Sequence, residues 1–321
     1  MRVVPDASEF SDTEAVGAGD AGAGAWVSYL TYRSLGTAMQ KLPELVAAAA
    51  ASVVAMVLSN FSGKAGAMYG RHLRRVLGPE LSDAEVRATT RRAFFNYGRY
   101  WFEGARLPAI SPAVIVDRFV VESGWEHLVS GMAAGNGVIM ALPHIGSWEW
   151  GGAWLALQGY PMTSVAEPLQ PPAMYDWFVA QREAMGLTIV PLGSDASRVL
   201  LRTLRAGKLV GLLCDRDIAG TGIDVEFFGE HTTMPGGPAM LALRTGAVLL
   251  PTAVYSGPGI GHTAVIMPPV DTTRLGGLRQ DVERVTQLVA DDLERLIRRA
   301  PQQWHLFQPN WPSDTGPGSS D

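Results

Sequence analysis

Short apolar runs alternate with segments of helical periodicity over the second half of the chain. Runs of this length, bounded by Gly, Pro or polar residues, are typical of buried strands. They predict strands at Gly137–Leu142, Met162–Ala166, Leu187–Leu192, Leu209–Cys214, Val225–Phe228, Ala247–Tyr255 and Thr263–Met267. The periodic segments between and after them predict helices at Trp148–Gln158, Ala173–Met185, Asp195–Ala206, Gly236–Thr245 and Leu278–Arg299. This alternation indicates an α/β fold, in which a single layered domain holds a central, mostly parallel or mixed sheet flanked by helices.

The beginning of the chain has a different pattern. Residues 1–25 are acidic, rich in Gly and Ala and without periodicity, and they lack the basic and apolar regions of a signal peptide. We therefore expect a disordered leader there. Residues 26–110 are expected to form a helical, membrane-facing cap on a domain that spans residues 26–311, and residues 312–321 are expected to be a disordered tail.

Two segments of the cap each allow two interpretations. Val46–Leu58 consists almost wholly of Ala, Val, Met and Leu, but it is shorter than the roughly 20 residues that cross a bilayer. It is either a helix packed inside the protein or a helix lying in the membrane interface. A second helix is predicted at Ala84–Glu103, after the start signal Ser82-Asp83. Its aromatic and arginine side chains form either a packing face with a solvated basic side or a lipid-facing groove rimmed by arginines.

Composition narrows the possible functions. With 321 residues, of which 47% are hydrophobic, the chain can bury a large core. The net charge of −5 and the lack of a basic cluster interleaved with aromatic residues argue against a nucleic-acid surface. Cys214 is the only cysteine, so the sequence offers no disulfide framework and no cysteine-based zinc site, and a reducing compartment fits.

The segment His144-Ile-Gly-Ser-Trp-Glu149 carries the strongest chemical signal. It follows the predicted strand Gly137–Leu142 and opens the predicted helix that begins at Trp148, with Ser147 as the expected N-cap. Ligands of open α/β sheets usually bind at this carboxyl edge of the strands. We therefore expect His144 to act as a general base and Glu149 to be the anion that orients its imidazole.

Further polar residues are expected at strand ends, in loops or, for Arg182, late in a helix of the same scheme, where they can bind a substrate. They are Glu167, Arg182, Asp215, Arg216, Asp217, Thr233 and Gly236. Each also has a purely structural interpretation. The Asp-Arg-Asp run can be a self-paired turn, and the Gly-Gly-Pro at residues 236–238 can be a helix entrance. Arg182 can be the ion-pair partner of Asp176 or Glu183.

The order of these elements resembles one known family. The His-x-x-x-x-Glu motif is followed by Gln181-Arg182-Glu183 and by Asp215 at a predicted strand end. Next come Phe227-Phe-Gly229 and Thr233-Met-Pro-Gly236, which leads into Met240-Leu-Ala242. This series is similar to the lysophospholipid acyltransferase-like family, in the branch of the lipid A late acyltransferases and the actinobacterial phosphatidylinositol mannoside acyltransferases. The closing Pro301–Trp311 is similar to the mannoside acyltransferases, whereas the Asp-Arg-Asp run differs from the Asp-Gln of the lipid A acyltransferases. The resemblance covers approximately residues 26–311.

The resemblance implies transfer of a long, palmitoyl-like acyl chain from acyl-CoA to a mannose hydroxyl of a phosphatidylinositol mannoside. It also implies a peripheral protein on the cytoplasmic face of the inner membrane, with acyl-CoA and the lipid as co-substrates and no metal or other cofactor. Glu167 and Asp215 suit hydrogen bonds to sugar hydroxyls, and Arg182 suits either the oxyanion or a carboxylate in the site. CoA is expected on an open surface held by scattered arginines, because the sequence has no phosphate-binding loop.

Direct attack by the hydroxyl requires no covalent acyl-enzyme, and the sequence has no Gly-x-Ser-x-Gly elbow. Two alternatives stay open. In the first, the protein is a hydrolase whose divalent metal is held by His144, Glu149, Asp215 and Asp217, although no second histidine has ligand spacing. In the second, the chain is a non-catalytic lipid-binding protein, and its His/Glu pair is structural.

Overall fold

The computed structural model of the chain describes residues 23–44, 46, 63–257 and 259–315. Most of the predicted leader (residues 1–22), residues 47–58 of the apolar run and residues 316–321 of the predicted tail lie outside the described residues. The leader was expected to extend to residue 25, but the first helix already begins at Ala23.

Within the described part, the helices that precede the sheet are α1 (Ala23–Lys41), α2 (Gly63–Leu77) and α3 (Asp83–Arg106). The start of α3 is fixed by a capping box. The backbone N–H of Glu85 donates to Ser82 Oγ, and the backbone N–H of Ser82 donates to the Glu85 carboxylate. The helix predicted at Ala84–Glu103 is therefore confirmed and continues for three more residues. None of the helices in the described residues is both long enough and apolar enough to cross a bilayer.

A seven-stranded sheet with the order β1-β9-β8-β2-β5-β3-β4 forms the centre of the domain. The strands, including the separate hairpin β6–β7, are β1 (Phe119–Ser123), β2 (Val138–Leu142), β3 (Met162–Ala166), β4 (Thr188–Pro191), β5 (Leu209–Leu213), β6 (Ile223–Phe227), β7 (Glu230–Met234), β8 (Val248–Ser256) and β9 (His262–Ile266). The five strands from β8 to β4 are parallel, whereas β9 is antiparallel to β8 and β1 is parallel to β9. The predicted α/β fold with a mostly parallel, mixed sheet is confirmed.

Helices cover both faces of this sheet. They are α4 (Pro112–Asp117), α5 (Trp125–Ala133), α6 (Trp148–Leu157), α7 (Pro172–Glu183), α8 (Ala196–Arg205), α9 (Gly237–Thr245) and α10 (Leu278–Arg299). Strand β2 shows how the two layers divide. Its residues Val138, Met140 and Leu142 pack with α5 and α6, while Ile139 and Ala141 pack with α8, α9 and α10. The strand is buried on both faces, which explains its unbroken apolar sequence.

Two strands, β1 and β7, and two helices, α4 and α5, were not predicted. Strand β1 lies at the edge of the sheet and exposes Val120, so its sequence lacks the apolar run of a buried strand. Strand β7 has the polar sequence Glu-His-Thr-Thr-Met and is held by antiparallel pairing with β6. Helix α5 begins directly after Gly124, whose φ of +81° allows the sharp turn out of β1.

The register of the central strands determines where the functional residues meet. Strands β2 and β5 are parallel neighbours, and Leu142 lies opposite Leu213. His144 lies two residues after Leu142, and Asp215 lies two residues after Leu213, so both residues are at the same edge of the sheet and at the same level. The backbone N–H of Cys214 extends the pairing by donating to the Leu142 carbonyl.

The prediction of a disordered tail from residue 312 onward is wrong for residues 312–315. Asp314 is buried at the start of that segment, and its carboxylate is bound by His72 and Arg75 of α2. The backbone N–H groups of Asn310 and Trp311 donate to the same carboxylate. A polar sequence that ends a chain resembles disorder, but here one aspartate anchors it to a helix more than 200 residues earlier.

Candidate active site

The turn from His144 to Ser147 connects β2 to α6 and has little conformational freedom. Gly146 has a φ of +57°, and a Cβ atom at this position would lie 1.9 Å from the Val254 carbonyl oxygen of β8. Only glycine fits, because a side chain would collide with backbone and would also occupy a disfavoured conformation. Ser147 occupies the predicted N-cap position, but its hydroxyl donates to buried Glu103 of α3 at 2.8 Å instead of capping α6.

The closing segment of the chain holds the same turn from the other side. Ile145 forms an antiparallel bridge with Trp304, and the N–H of Gly146 donates to the Gln303 carbonyl at 3.0 Å. The N–H of His305 donates to the His144 carbonyl at 2.7 Å. The turn is therefore fixed by backbone contacts to both β8 and the end of the domain.

His144 is bound to Asp215. Its Nδ1 lies 2.6 Å from one carboxylate oxygen of Asp215, and its backbone N–H donates to the other oxygen at 2.9 Å. The Asp215 side chain is completely buried, whereas 31% of the His144 side chain is exposed. Because an ionised carboxylate only accepts, Nδ1 carries the proton, and Nε2 keeps the lone pair that a general base requires.

The charges around this pair set its proton affinity. Burial disfavours the imidazolium, but the charge and hydrogen bond of Asp215 outweigh it and raise the pKa of His144 above its ordinary value. Burial opposes ionisation of Asp215 as well, yet His144 and the hydrogen bond from Trp304 hold the pKa of Asp215 below its usual range. Arg216 lies near enough to His144 to lower its pKa slightly.

Glu149 does not orient His144 in the structure, which differs from the sequence-based expectation. It lies in the first turn of α6, as predicted, but its carboxylate binds the Tyr100 hydroxyl at 2.8 Å and Arg182 at 3.0 Å. Both members of the Glu149–Arg182 pair are largely buried. Arg182 therefore binds a carboxylate of the site, and neither Asp176 nor Glu183 is its ion-pair partner. Asp215, predicted to bind a sugar hydroxyl, occupies the position expected for Glu149.

The structure disperses the other predicted substrate-binding residues. Asp217 accepts from the N–H groups of Gly220 and Gly222 and from the Thr233 hydroxyl, so Asp217 and Thr233 organise their own loop. Gly236 is the N-cap of α9, and a Cβ atom there would lie 2.7 Å from the Ile223 side chain, so its role in the fold is close packing.

Two predicted residues remain accessible near the site. Glu167 is exposed at the carboxyl end of β3, on the same sheet edge as His144. Arg216 is half-buried and has no ion pair or hydrogen bond among the described contacts. These side chains are available to a ligand.

The described residues contain no group of three or more His, Cys, Asp or Glu side chains that can hold a metal ion. The four ligands of the metal-hydrolase alternative do not converge. Asp217 is occupied within its loop, Glu149 is paired with Arg182, and only His144 and Asp215 are in contact.

Sequence reasoning missed three residues of the site. Trp304 donates its indole N–H to Asp215 at 2.7 Å, and Tyr100 donates to Glu149. The His305 ring packs at a tilt against the rings of Tyr100 and Tyr97, and its Nε2 lies 3.0 Å from the Gly146 carbonyl oxygen. Burial lowers the pKa of His305 to about 4, so it is neutral beside His144. The available signals were the aromatic content of α3 and the resemblance of the closing segment, and neither indicated a partner.

Between α6 and the sheet, next to the turn that follows β2, apolar side chains leave only a small gap with room for about one water-sized molecule. Its lining includes Trp148, Gly151 and Leu155 of α6 and Leu142 and Met162 of the sheet. The gap has no polar surface, but as it stands it is too small to hold a long acyl chain.

A histidine that is oriented by a buried aspartate and keeps Nε2 open has the chemistry of a general base that activates a hydroxyl. The family model described as bacterial lipid A biosynthesis acyltransferase matches residues 23–313, and the chain belongs to this family. The resemblance stated from the sequence motifs is thus confirmed.

More similar relatives have a more specific activity. The chain is 40% identical over 226 residues to the phosphatidylinositol mannoside acyltransferase of Mycobacterium tuberculosis, and the aligned region covers 68% of this chain and 69% of the relative. It is 38% identical over 248 residues to that of Mycolicibacterium smegmatis, with 76% and 79% covered. A lipid A biosynthesis acyltransferase of Haemophilus influenzae is more distant, at 27% identity over 184 residues, covering 56% of this chain and 55% of the relative.

Proposed function

We propose that this protein transfers a long acyl chain from acyl-CoA to a mannose hydroxyl of a phosphatidylinositol mannoside, with His144 as the general base. The observation that carries the proposal is the contact between His144 Nδ1 and buried Asp215, which leaves Nε2 free at the sheet edge where ligands bind. The similarity to the mycobacterial phosphatidylinositol mannoside acyltransferases supports the choice of acceptor.

The reaction proceeds in two proton transfers. As the sugar oxygen attacks the thioester carbonyl, its proton moves to Nε2 of His144, and a C–O bond forms. The tetrahedral intermediate then collapses, the C–S bond breaks, and the imidazolium returns the proton to the leaving thiolate. Asp215 stabilises the imidazolium between these steps, as the carboxylate of a catalytic triad does.

The oxyanion of the intermediate needs donors near the carbonyl. The first N–H groups of a helix have no acceptor within the helix, and those of α6 follow directly after the turn from His144 to Ser147. Arg216, which is close enough to affect the charge of His144, is a second donor for the oxyanion or for a phosphate of CoA.

The remaining polar residues have supporting roles in this proposal. Glu167 is exposed and suits a hydrogen bond to a sugar hydroxyl. Glu149 and Arg182 form a buried ion pair that fixes α7 against the start of α6. They therefore shape the site without taking part in the proton transfer.

The test compares two histidine variants. His144→Ala should lower the rate of CoA release about 10²–10⁴-fold, the usual contribution of a general base, with the thermal midpoint preserved. His127→Ala is a matched control, because His127 of α5 is exposed to a similar extent, 29% against 31%, and lies outside the site. Near-normal turnover of His144→Ala would exclude the proposed base.

The proposal places the protein on the cytoplasmic face of the membrane as a peripheral protein. The supporting observation is the apolar surface of the N-terminal helices. Trp26, Val27 and Leu30 of α1 are each about half exposed or more, and Trp101 and Phe95 of α3 are also exposed. Exposed aromatic and aliphatic side chains of this kind insert at the level of lipid headgroups.

Liposome co-sedimentation tests the membrane proposal. Val27→Glu with Leu30→Glu should reduce binding to vesicles that contain phosphatidylinositol, because two charges would have to enter the interface. Ser34→Glu with Thr37→Glu adds the same charge to exposed polar positions of the same helix and serves as the control. Equal binding by both double variants would contradict the use of this face.

A further inference from the structure

Trp304 belongs to the closing segment, more than 80 residues after Asp215, yet it contacts the carboxylate that holds His144. Its ring is 1% exposed, and its indole N–H donates to one Asp215 oxygen at 2.7 Å. The same oxygen accepts the backbone N–H of His144, and the other oxygen binds Nδ1. Among the described residues, the carboxylate thus has three N–H donors, two from His144 and one from Trp304.

This geometry has a physical consequence for the orientation of the carboxylate. The backbone N–H and Nδ1 of His144 each bind one carboxylate oxygen, and the indole adds a second donor to the oxygen that accepts the backbone N–H. The indole ring is held in place by packing against Phe227, Phe228 and Trp311 of the core. This fixed third donor therefore favours one rotation of the Asp215 side chain.

We propose that Trp304 is a positioning residue: its indole N–H holds the Asp215 carboxylate in the orientation that binds Nδ1 of His144 and leaves Nε2 as the base. The inference rests on the proposed function for its catalytic meaning, but the contact and its effect on the imidazole can be measured without any turnover. Because its ring is 1% exposed and its N–H is bound to Asp215, Trp304 would act through that carboxylate and not on the substrate.

The direction of the effect follows from the titratable groups that face the pair. Those near His144 are Asp215, Arg216, Glu149 and neutral His305, and those near Asp215 include His144 and the protonated thiol of Cys214. The indole is neutral and adds no charge to this set. Its N–H stabilises the bare carboxylate more than the carboxylate already neutralised by an imidazolium. Without it, the pair should keep its proton to a higher pH.

The experiment uses two tryptophans that differ in one contact. Trp304→Phe removes the donor to Asp215, whereas Trp311→Phe removes an equivalent indole N–H that donates to the Phe227 carbonyl at 3.1 Å. Both rings are buried, and their centroids lie 6.4 Å apart in one aromatic cluster, so the packing loss is matched. The readouts are the tautomer and titration of His144 by nitrogen-15 NMR and the acid limb of kcat/KM against pH.

In the wild-type protein, neutral His144 should be the Nδ1–H tautomer. Trp304→Phe should raise its titration midpoint and the acid limb together, on the order of half a pH unit, and should mix the two tautomers. Trp311→Phe should leave both readouts at the wild-type values. In an Asp215→Asn background, Trp304→Phe should shift neither readout further, because the link runs through that carboxylate.

A variant that keeps the shape of the ring guards against loss of folding. Replacing Trp304 with 3-benzothienylalanine substitutes sulfur for the indole N–H and preserves the bicyclic ring, so it should reproduce the shift of Trp304→Phe. Equal His144 titrations and tautomers in wild type, Trp304→Phe and the sulfur analogue would overturn the inference. A shift of His144 by NMR in a protein without acyl transfer would support the positioning role and reject the proposed function.

Discussion

Replacing Asp215 with Asn removes one negative charge and changes the shape of the side chain very little. In the structure this carboxylate is completely buried, lies 2.6 Å from Nδ1 of His144 and is responsible for keeping the His144 pKa raised against the effect of burial. Hydrogen bonds to charged groups contribute about 1.5–3 kcal/mol, and about 1.4 kcal/mol corresponds to one pH unit. The pKa of His144 should therefore fall by about one to two units in Asp215→Asn.

The sign of this change is specific. His144 acts when neutral, so the rate declines as the pH falls through its pKa, and a lower pKa moves the acid limb of kcat/KM to lower pH. The maximal rate should nevertheless drop about 10²–10⁴-fold, because the amide neither stabilises the imidazolium nor enforces the Nδ1–H tautomer. The assay is CoA release measured at intervals from pH 4.5 to pH 9.

Glu149→Gln is the control for this experiment, since it also removes one buried negative charge near the site. Glu149 contributes least among the named influences on the His144 pKa, so the acid limb should move much less. The variant should instead lose thermal stability, because Arg182 would keep a buried charge without its carboxylate partner. A larger shift of the limb in Glu149→Gln than in Asp215→Asn would refute the assignment of the orienting anion.

Three further outcomes are expected. Gly146→Ala should lose about 3 kcal/mol or more of unfolding free energy, measured by denaturant titration, because its Cβ would collide with the Val254 carbonyl. Gly159→Ala is the control, since Gly159 also has a positive φ but has open space around it, and this variant should lose about 1 kcal/mol. Cys214→Ala should transfer acyl groups at a near wild-type rate and show no acyl adduct by intact mass, since burial raises the pKa of this thiol far above neutrality; a kinetically competent adduct would contradict direct attack. Burial opposes ionisation of Asp314, but hydrogen bonds from His72 and from backbone amides hold the pKa of Asp314 well below the usual range. The stability that ionised Asp314 contributes is therefore present above the ordinary carboxyl pKa and declines as the pH falls. The unfolding free energy of Asp314→Asn should depend less on pH between pH 5 and pH 3 than that of wild type, and an equal dependence would argue against the ion pair.

Hydrophobic patterning was sufficient for the elements that build the core. Strand Met162–Ala166 and helix Leu278–Arg299 have the predicted boundaries, because each is buried along a face that its sequence periodicity displays. Patterning failed where stability comes from neighbours instead. Strand β7 is polar and depends on its hairpin partner, and β1 depends on pairing at the sheet edge.

The site was predicted in part for a comparable reason. His144 and Glu149 share a local motif, so sequence proximity suggested that they interact, and the helix start did place Glu149 in the first turn. The contact of His144 with Asp215 depends on the order and register of β2 and β5, which no local pattern encodes. The contact with Trp304 depends on the return of the chain end across the sheet, which is equally invisible in the sequence.

The central claim is that the purified protein esterifies a mannose hydroxyl with an acyl group taken from a thioester. The direct measurement supplies palmitoyl-CoA, or in a parallel reaction palmitoyl-acyl carrier protein, together with phosphatidylinositol mannoside, and identifies the products by mass spectrometry of the lipid fraction. We predict a mannoside heavier by one palmitoyl group, formed in equal amount to free CoA and absent with His144→Ala. The account would be contradicted if neither palmitoyl-CoA nor palmitoyl-acyl carrier protein were consumed, or if a lipid A precursor were acylated in preference to the mannoside.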